Sequence, residues 1–273
     1  MPPEVSFNDI PADVRVPSVL TEVDSSRAIG GAQIKPWKVL LVGQRLAAGT
    51  VAALIPKQIT AVDQARQWFG AGSMLHGMAQ AFFANPHAFD TVAIALDDAG
   101  AGTAATLAIT VSATAAGAGS IALYVGGYRS VTKVAASDSA STIAANLVTA
   151  INAMEGAPAT AAAVAAVVTL TARNKGAIGN EIDVRVNYYD GEVLPSGVTL
   201  SNVPGALAGG ATNPTIGASL WTAIGETQYD LMVTPYTDAA STTAIDAELA
   251  SRWGPTRQIE GSAVAAKRDS HAN

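Results

Sequence analysis

Between positions 98 and 212 the chain contains no Trp, Phe or His, whereas the flanks hold all four tryptophans, all five phenylalanines and all three histidines. Ala, Gly, Thr and Ser dominate inside that window. Large rings fill wide gaps between layers, while small side chains allow only close packing. The two textures belong to different cores, and so sharp a change predicts an inserted domain with its flanks folding together around it. The expected divisions are an extended arm over 1–30, a first part of an α/β core over 31–97, a β-rich insert over 98–212, and a second core part over 213–273.

The flanks carry short apolar runs, 38–42 (KVLLV), 91–96 (TVAIAL) and 229–234 (YDLMVT), with a further strand expected over 258–264. Runs apolar at consecutive positions suit parallel strands buried on both faces. Helices are expected between them. Thr60 caps one through Trp68, and Gly70-Ala71-Gly72 ends it. Ser73 caps the next, whose apolar face is Met74, Leu75, Met78, Ala79, Phe82 and Phe83, stopped by Asn85-Pro86. A short helix is expected over 214–224, and another behind Asp238 with Ile245, Leu249 and Trp253 on one face.

Inside the window, 105–111, 120–125 and 128–134 alternate as strands, and Gly126-Gly127 joins the last two as a hairpin. Residues 139–152 form a helix with Ile143, Leu147 and Ile151 along one stripe. Strand is expected again over 164–172, 181–189 and 197–203, with a turn at Asp190-Gly191. The whole reads as an α/β core, discontinuous and with an unfinished parallel sheet, carrying a β-rich α+β module.

The stretch before the core behaves differently. Residues 6–27 (SFNDIPADVRVPSVLTEVDSSR) hold Val14, Val16, Val19, Thr21 and Val23, with Pro11 and Pro17 as punctuation. Proline is tolerated only at the ends or edges of sheets. No glycine-bearing hairpin turn offers a local partner. The segment is expected to be an extended arm that pairs with another subunit by strand addition, with Gly30 and Gly31 as its hinge.

Composition narrows the function. Hydrophobic residues are 49% and charged ones 14%, which favours a burying chain over a disordered one. The net charge of −6, without clustered Lys or Arg, argues against nucleic acid. Cysteine is absent, so no disulfide or thiolate metal site is expected. The start, MPPEVSFNDIP, lacks the pattern of a signal peptide, and no apolar run reaches a membrane span. No direct membrane insertion is expected.

Candidate chemistry is thin. Ser73 opening a helix could be a nucleophile, but His76 lies three residues on along the same helix, beside the serine rather than opposite it. Capping is the stronger reading. Residues 43–50 (GQRLAAGT) have the wrong spacing and no lysine for a phosphate loop. The acidic pairs Asp97-Asp98 and Glu181/Asp183 read as solvated strand-end carboxylates. Residues 175–180 (KGAIGN) read as a loop more than an anion cradle. Tyr188 and Tyr189 could stack on sugar, yet strand alternation would leave one buried and one exposed. No catalytic, cofactor or metal residues are assigned, and no enzymatic activity is expected.

Residues 6–28 (SFNDIPADVRVPSVLTEVDSSRA) closely resemble the amino terminus of the tail sheath proteins of contractile, Mu-like phages. Further matches in family order are 39–43 (VLLVG), 69–74 (FGAGSM), 170–180 (LTARNKGAIGN), 229–239 (YDLMVTPYTDA) and 249–259 (LASRWGPTRQI). The resemblance implies a subtilisin-like sheath core and a structural subunit that polymerises helically around a tail tube. It implies contraction that drives the tube through the host envelope. The implied partners are further sheath subunits, the tube protein, and baseplate and tail terminator proteins. The implied place is the virion tail, after assembly in the host cytoplasm. Family members continue into more α/β domain and a carboxy-terminal arm, so a truncated form is expected. The rival readings are a carbohydrate-binding or adhesin module and an α/β hydrolase.

Overall fold

The computed structural model describes residues 36–85 and 89–266. Val14, Val16, Val19, Thr21, Val23, Gly30 and Gly31 lie outside the described residues, as do His87, His271 and the polar tail from 267.

The first flank supplies β1 (Lys38–Gln44), β2 (Lys57–Gln58), α1 (Val62–Phe69), α2 (Met74–Phe83) and β3 (Asp90–Leu96). The window supplies β4 (Thr106–Ser112), β5 (Gly119–Val125), β6 (Tyr128–Val134), α3 (Ala140–Asn152), β7 (Ala159–Val164) and β8 (Val167–Ala172). After a 3-10 turn at Ala177–Glu181 come β9 (Asp183–Val186), β10 (Thr199–Leu200) and β11 (Gly205–Ala206). The second flank supplies α4 (Ala218–Ile224), β12 (Leu231–Val233), α5 (Ala239–Trp253) and β13 (Ser262–Val264).

Both flanks build one sheet in the order β13-β12-β1-β3-β2. β13, β12, β1 and β3 are mutually parallel, and the two-residue β2 closes one edge antiparallel to β3. Alternation in β1 explains its unbroken apolar run. Val39 and Leu41 face one core with Ala65, Phe69, Leu75 and Ala79 of α1 and α2. Leu40 and Val42 face another with Leu220, Ile224 and Ile245 of α4 and α5. Each such leucine, taken fully out of water, contributes roughly 1.5–3 kcal/mol. Gly43 allows α2 to lie close, because a Cβ there would sit 2.9 Å from Met78 Sδ.

Most apolar residues of the window gather in a core of their own, while Ile178 packs against the flank core of Leu40 and Leu220. Sheets β10-β4-β8-β7 and β11-β9-β5-β6 share a core with α3, centred on Ile109, Ile121, Leu123, Ile143, Leu147 and Leu170. Gly126 and Gly127, at φ +56° and +86°, form the two-residue turn between β5 and β6. Both take the positive φ that such a hairpin requires.

Several expectations shift in detail. The strand expected over 164–172 is the second half of a β7–β8 hairpin. β7 was hidden by its alanines, which carry little strand preference. Strand over 181–189 shrinks to Asp183–Val186, and 197–203 to Thr199–Leu200. Ala61, not Thr60, precedes α1 as its cap residue, and Gln64 Oε1 instead accepts from the Thr60 N–H at 2.9 Å. Ser73 and Asp238 cap as expected, accepting from His76 N–H at 3.1 Å and Ser241 N–H at 3.0 Å. Trp253 does not share the buried face of α5, being 64% exposed while Arg252 is 5% exposed. Seven residues from Ile245 fall close to two full turns, whereas eight overshoot by most of a quarter turn.

Candidate assembly site

Polar groups gather where β1 and β3 end. Gln44, fully buried at the end of β1, donates from Nε2 to Asp98 Oδ1 at 2.6 Å and to the Lys175 carbonyl at 2.7 Å. Asp98 also accepts from Asn174 Nδ2 at 3.0 Å and from the Lys175 N–H at 3.1 Å. Asn174 reaches back to the flank, donating to the Arg45 carbonyl at 3.0 Å and accepting from the Met74 N–H at 2.9 Å. Arg45 pairs with Asp97 at 2.7 Å. A parallel clamp lies at Asn213, which accepts from the Ile178 N–H at 3.3 Å and donates to Asp238 at 3.2 Å. Hydrogen bonds to ionised groups contribute about 1.5–3 kcal/mol each.

This corrects two expectations. Asp98 is not a free strand-end carboxylate but an anchor that ties the window to Gln44 of the flank, whereas Asp97 is exposed and pairs with Arg45 of its own flank. The 175–180 loop does offer an amide to an anion, and the anion is the chain's own Asp98. Asp183 of the other acidic pair bonds Arg185 Nε at 2.5 Å.

Ser73 and His76 do not form a catalytic couple. Ser73 Oγ accepts from the His76 backbone, and His76 Nδ1 accepts from the Gly72 N–H at 3.1 Å. His76 is buried, and burial, with the Arg66 guanidinium nearby, pushes its pKa below the ordinary value. A neutral imidazole whose Nδ1 already accepts a backbone N–H is serving the turn, not a nucleophile. Among the described residues no group of His, Cys, Asp or Glu is placed to hold a metal ion, and no helix is long and apolar enough to cross a membrane.

A sheet edge and exposed rings remain. β13 pairs with β12 on one side, and no strand covers its other side among the described residues. Its Val264 is 51% exposed. At the amino ends of β1 and β3, Trp37 and Phe89 are exposed with ring centroids 6.4 Å apart. Tyr188 and Tyr189 are both exposed, against the expectation of one buried, because β9 stops at Val186 and strand alternation no longer applies. The arm residues Val14, Val16, Val19, Thr21 and Val23 and the hinge at Gly30 and Gly31 lie outside the described residues.

The described residues form a mixed α/β structure of several sheets, and the polar side chains at the β1 and β3 ends are taken up by internal hydrogen bonds. No protein-family model matches the chain. Over 268 residues, 98% of its length, it is 36% identical to the Mu-like prophage FluMu tail sheath protein of Haemophilus influenzae. The chain spans about half, 54%, of that relative. It is thus a sequence relative of the Mu-like tail sheath proteins, and the resemblance stated from the residues holds over nearly all of it. Two solved structures are similar more distantly. The sheath tail protein of Listeria innocua is 18% identical, with 84% of this chain and 48% of that one covered and a TM-score of 0.31. That of Desulfitobacterium hafniense is 17% identical, with 92% and 56% covered and a TM-score of 0.32.

Proposed function

We propose that this chain is the sheath-forming part of a structural subunit of a contractile, Mu-like phage tail, and not an enzyme. The single observation that carries the reading is the 36% identity over 98% of the chain. In this reading subunits polymerise helically around the tail tube, anchored by baseplate and terminator proteins. Contraction then drives the tube through the host envelope. Assembly takes place in the host cytoplasm and the product is the virion tail.

The core would be the subtilisin-like sheath domain, split by an outward-facing insert over 98–212. The exposed edge at β13 supports a sheet that continues into further chain or a neighbour. The arm fits the same scheme. Ordering each arm residue costs about 1–2 kcal/mol, and each strand hydrogen bond returns a net ~0.5–1.5 kcal/mol. An isolated arm is therefore marginal. Val14, Val16, Val19, Thr21 and Val23 gain stability only by filling a neighbour's pockets, and many linked copies act together. Gly30 and Gly31 let the arm swing while the link holds. The stored energy is the difference between two sets of interfaces.

Electron microscopy of the purified chain, alone and mixed with tail tubes, tests this reading. Rings or tubes are expected. Featureless monomers that leave tubes bare and hydrolyse a substrate would refute it.

A further inference from the structure

The outer face of the β11-β9-β5-β6 sheet carries a row that the sheath reading does not use. The register sets Arg185 opposite Tyr124, and Tyr124 opposite Arg129, across β9, β5 and β6. The alternate β5 residues, Ile121, Leu123 and Val125, lie in the core, so this row points away from it. Glu192, on the loop that follows β9, locks the row in place. It accepts from Tyr124 Oη at 2.7 Å and from Arg129 Nη2 at 2.8 Å, and its other oxygen accepts from the Tyr189 N–H at 3.3 Å. Burial alone would raise the Glu192 carboxyl, but these bonds hold it below its ordinary value.

The small side chain of Ala122 leaves a cleft of about 410 Å³ over the sheet, walled by Arg129, Asn187, Glu192 and Pro195. Tyr188 and Tyr189 do not line it but follow its Asn187 wall in the chain, 56% and 61% exposed, with ring centroids 5.3 Å apart and nearly perpendicular. Their diverging faces are fixed against Tyr124 and, for Tyr188, by the Arg185 guanidinium 4.9 Å from the ring centroid.

We propose that this cleft and its tyrosine rim bind a neutral glycan, with a sugar ring stacked on Tyr188 or Tyr189 and its hydroxyls bonded to Arg129, Asn187 and Glu192. A pyranose presents C–H groups on one face and hydroxyls around its rim. It therefore needs an exposed ring beside fixed polar groups, as this site offers. The charges favour a neutral ligand, since Arg129 is matched by Glu192 and Arg185 by Asp183. A protein partner fits less well. An ordinary interface covers roughly 800 Å² on each side with an apolar centre, whereas here the exposed apolar groups, Tyr188, Tyr189, Val193 and Val131, are scattered around a cleft with polar walls. The inference is independent of the sheath reading, because it concerns a ligand of one copy and not the contacts between copies.

Native electrophoresis of the whole chain through gels containing dissolved dextran, galactomannan or hydroxyethyl cellulose tests it, with heparin as the anionic arm. Retardation by at least one neutral polysaccharide is expected, weakened about fivefold or more in Tyr188→Ala/Tyr189→Ala. Arg129→Gln, which leaves both rings in place, should weaken it as well. Circular dichroism of each variant should match the parent. Three results overturn the proposal: no retardation in any neutral gel, retardation unchanged by the double substitution, or retardation by heparin alone.

Discussion

The five-stranded sheet and the window from β4 to β11 solve the same problem in opposite ways. The sheet buries both faces of β1 between helical layers, yet it ends on three-residue strands and an exposed β13. The window uses small side chains, two four-stranded antiparallel sheets and one helix, and gathers its apolar residues into a single cluster. Sequence texture tracks the difference. Wide α/β layers need rings such as Phe69 and Tyr236, while the window closes with Ile, Leu, Val and Ala. Among the described residues the five-stranded sheet ends on an uncovered β13, and the window's two sheets end on edge strands of their own.

The largest effects should come from cutting either core. Leu40→Ala in β1 and Leu147→Ala in α3 each remove a fully buried leucine and should cost about 2–5 kcal/mol. All four tryptophans lie outside the window, so their fluorescence follows the sheet alone while circular dichroism follows both regions. If the regions are separate cooperative units, Leu147→Ala shifts the circular dichroism midpoint in urea more than the fluorescence midpoint. Coincident shifts would make them one unit.

Next comes the clamp. Asp98→Ala removes the acceptor shared by Gln44, Asn174 and Lys175 and should cost about 2 kcal/mol, sharpening any separation of the two probes. Asp238→Ala should cost about 1 kcal/mol by uncapping α5. Burial would raise the Asp238 carboxyl, but bonds from the Ser241 amide, Asn213 and the Ser241 hydroxyl hold it below the ordinary value. Its stabilisation is therefore present above the unfolded pKa, is lost as pH falls through the lower folded one, and should vanish from the acid limb of Asp238→Ala. His76, also depressed, should make the parent less stable as pH falls below about 6.5. The smallest effect is expected at Tyr236, fully buried with a hydroxyl that has no hydrogen-bond partner among the described residues. Tyr236→Phe should leave stability unchanged or raise it by up to about 1 kcal/mol, read from thermal melts.

The sequence made the apolar strands and the caps legible because each rests on local chemistry. KVLLV and TVAIAL have no solvent face to interrupt them, and Ser73 and Asp238 stand at the first turn of their helices. The β7 strand was not legible, since its alanines look alike in any conformation. Arg252 was missed because its local partner, Glu248 at i−4, gives a pairing equally common on a solvated helix face. Its other partners, the Gly225 and Thr227 carbonyls, come from the turn after α4. The Asp98 clamp was missed because its partners lie far along the chain, and Tyr188 and Tyr189, though singled out, gave no sign of their link to Tyr124 and Glu192. Asp98 meets Asn174 across 76 positions and Tyr124 meets Glu192 across 68, distances that spacing rules cannot see.

Amide hydrogen exchange compared between the free chain and sedimented assemblies addresses the open sheet most directly. The account predicts that residues 12–24 and the β13 strand at Ser262–Val264 exchange quickly in the free chain and slow together on assembly, while β5, β8 and α3 stay as they were. Equal exchange of the arm and β13 in both states would contradict it.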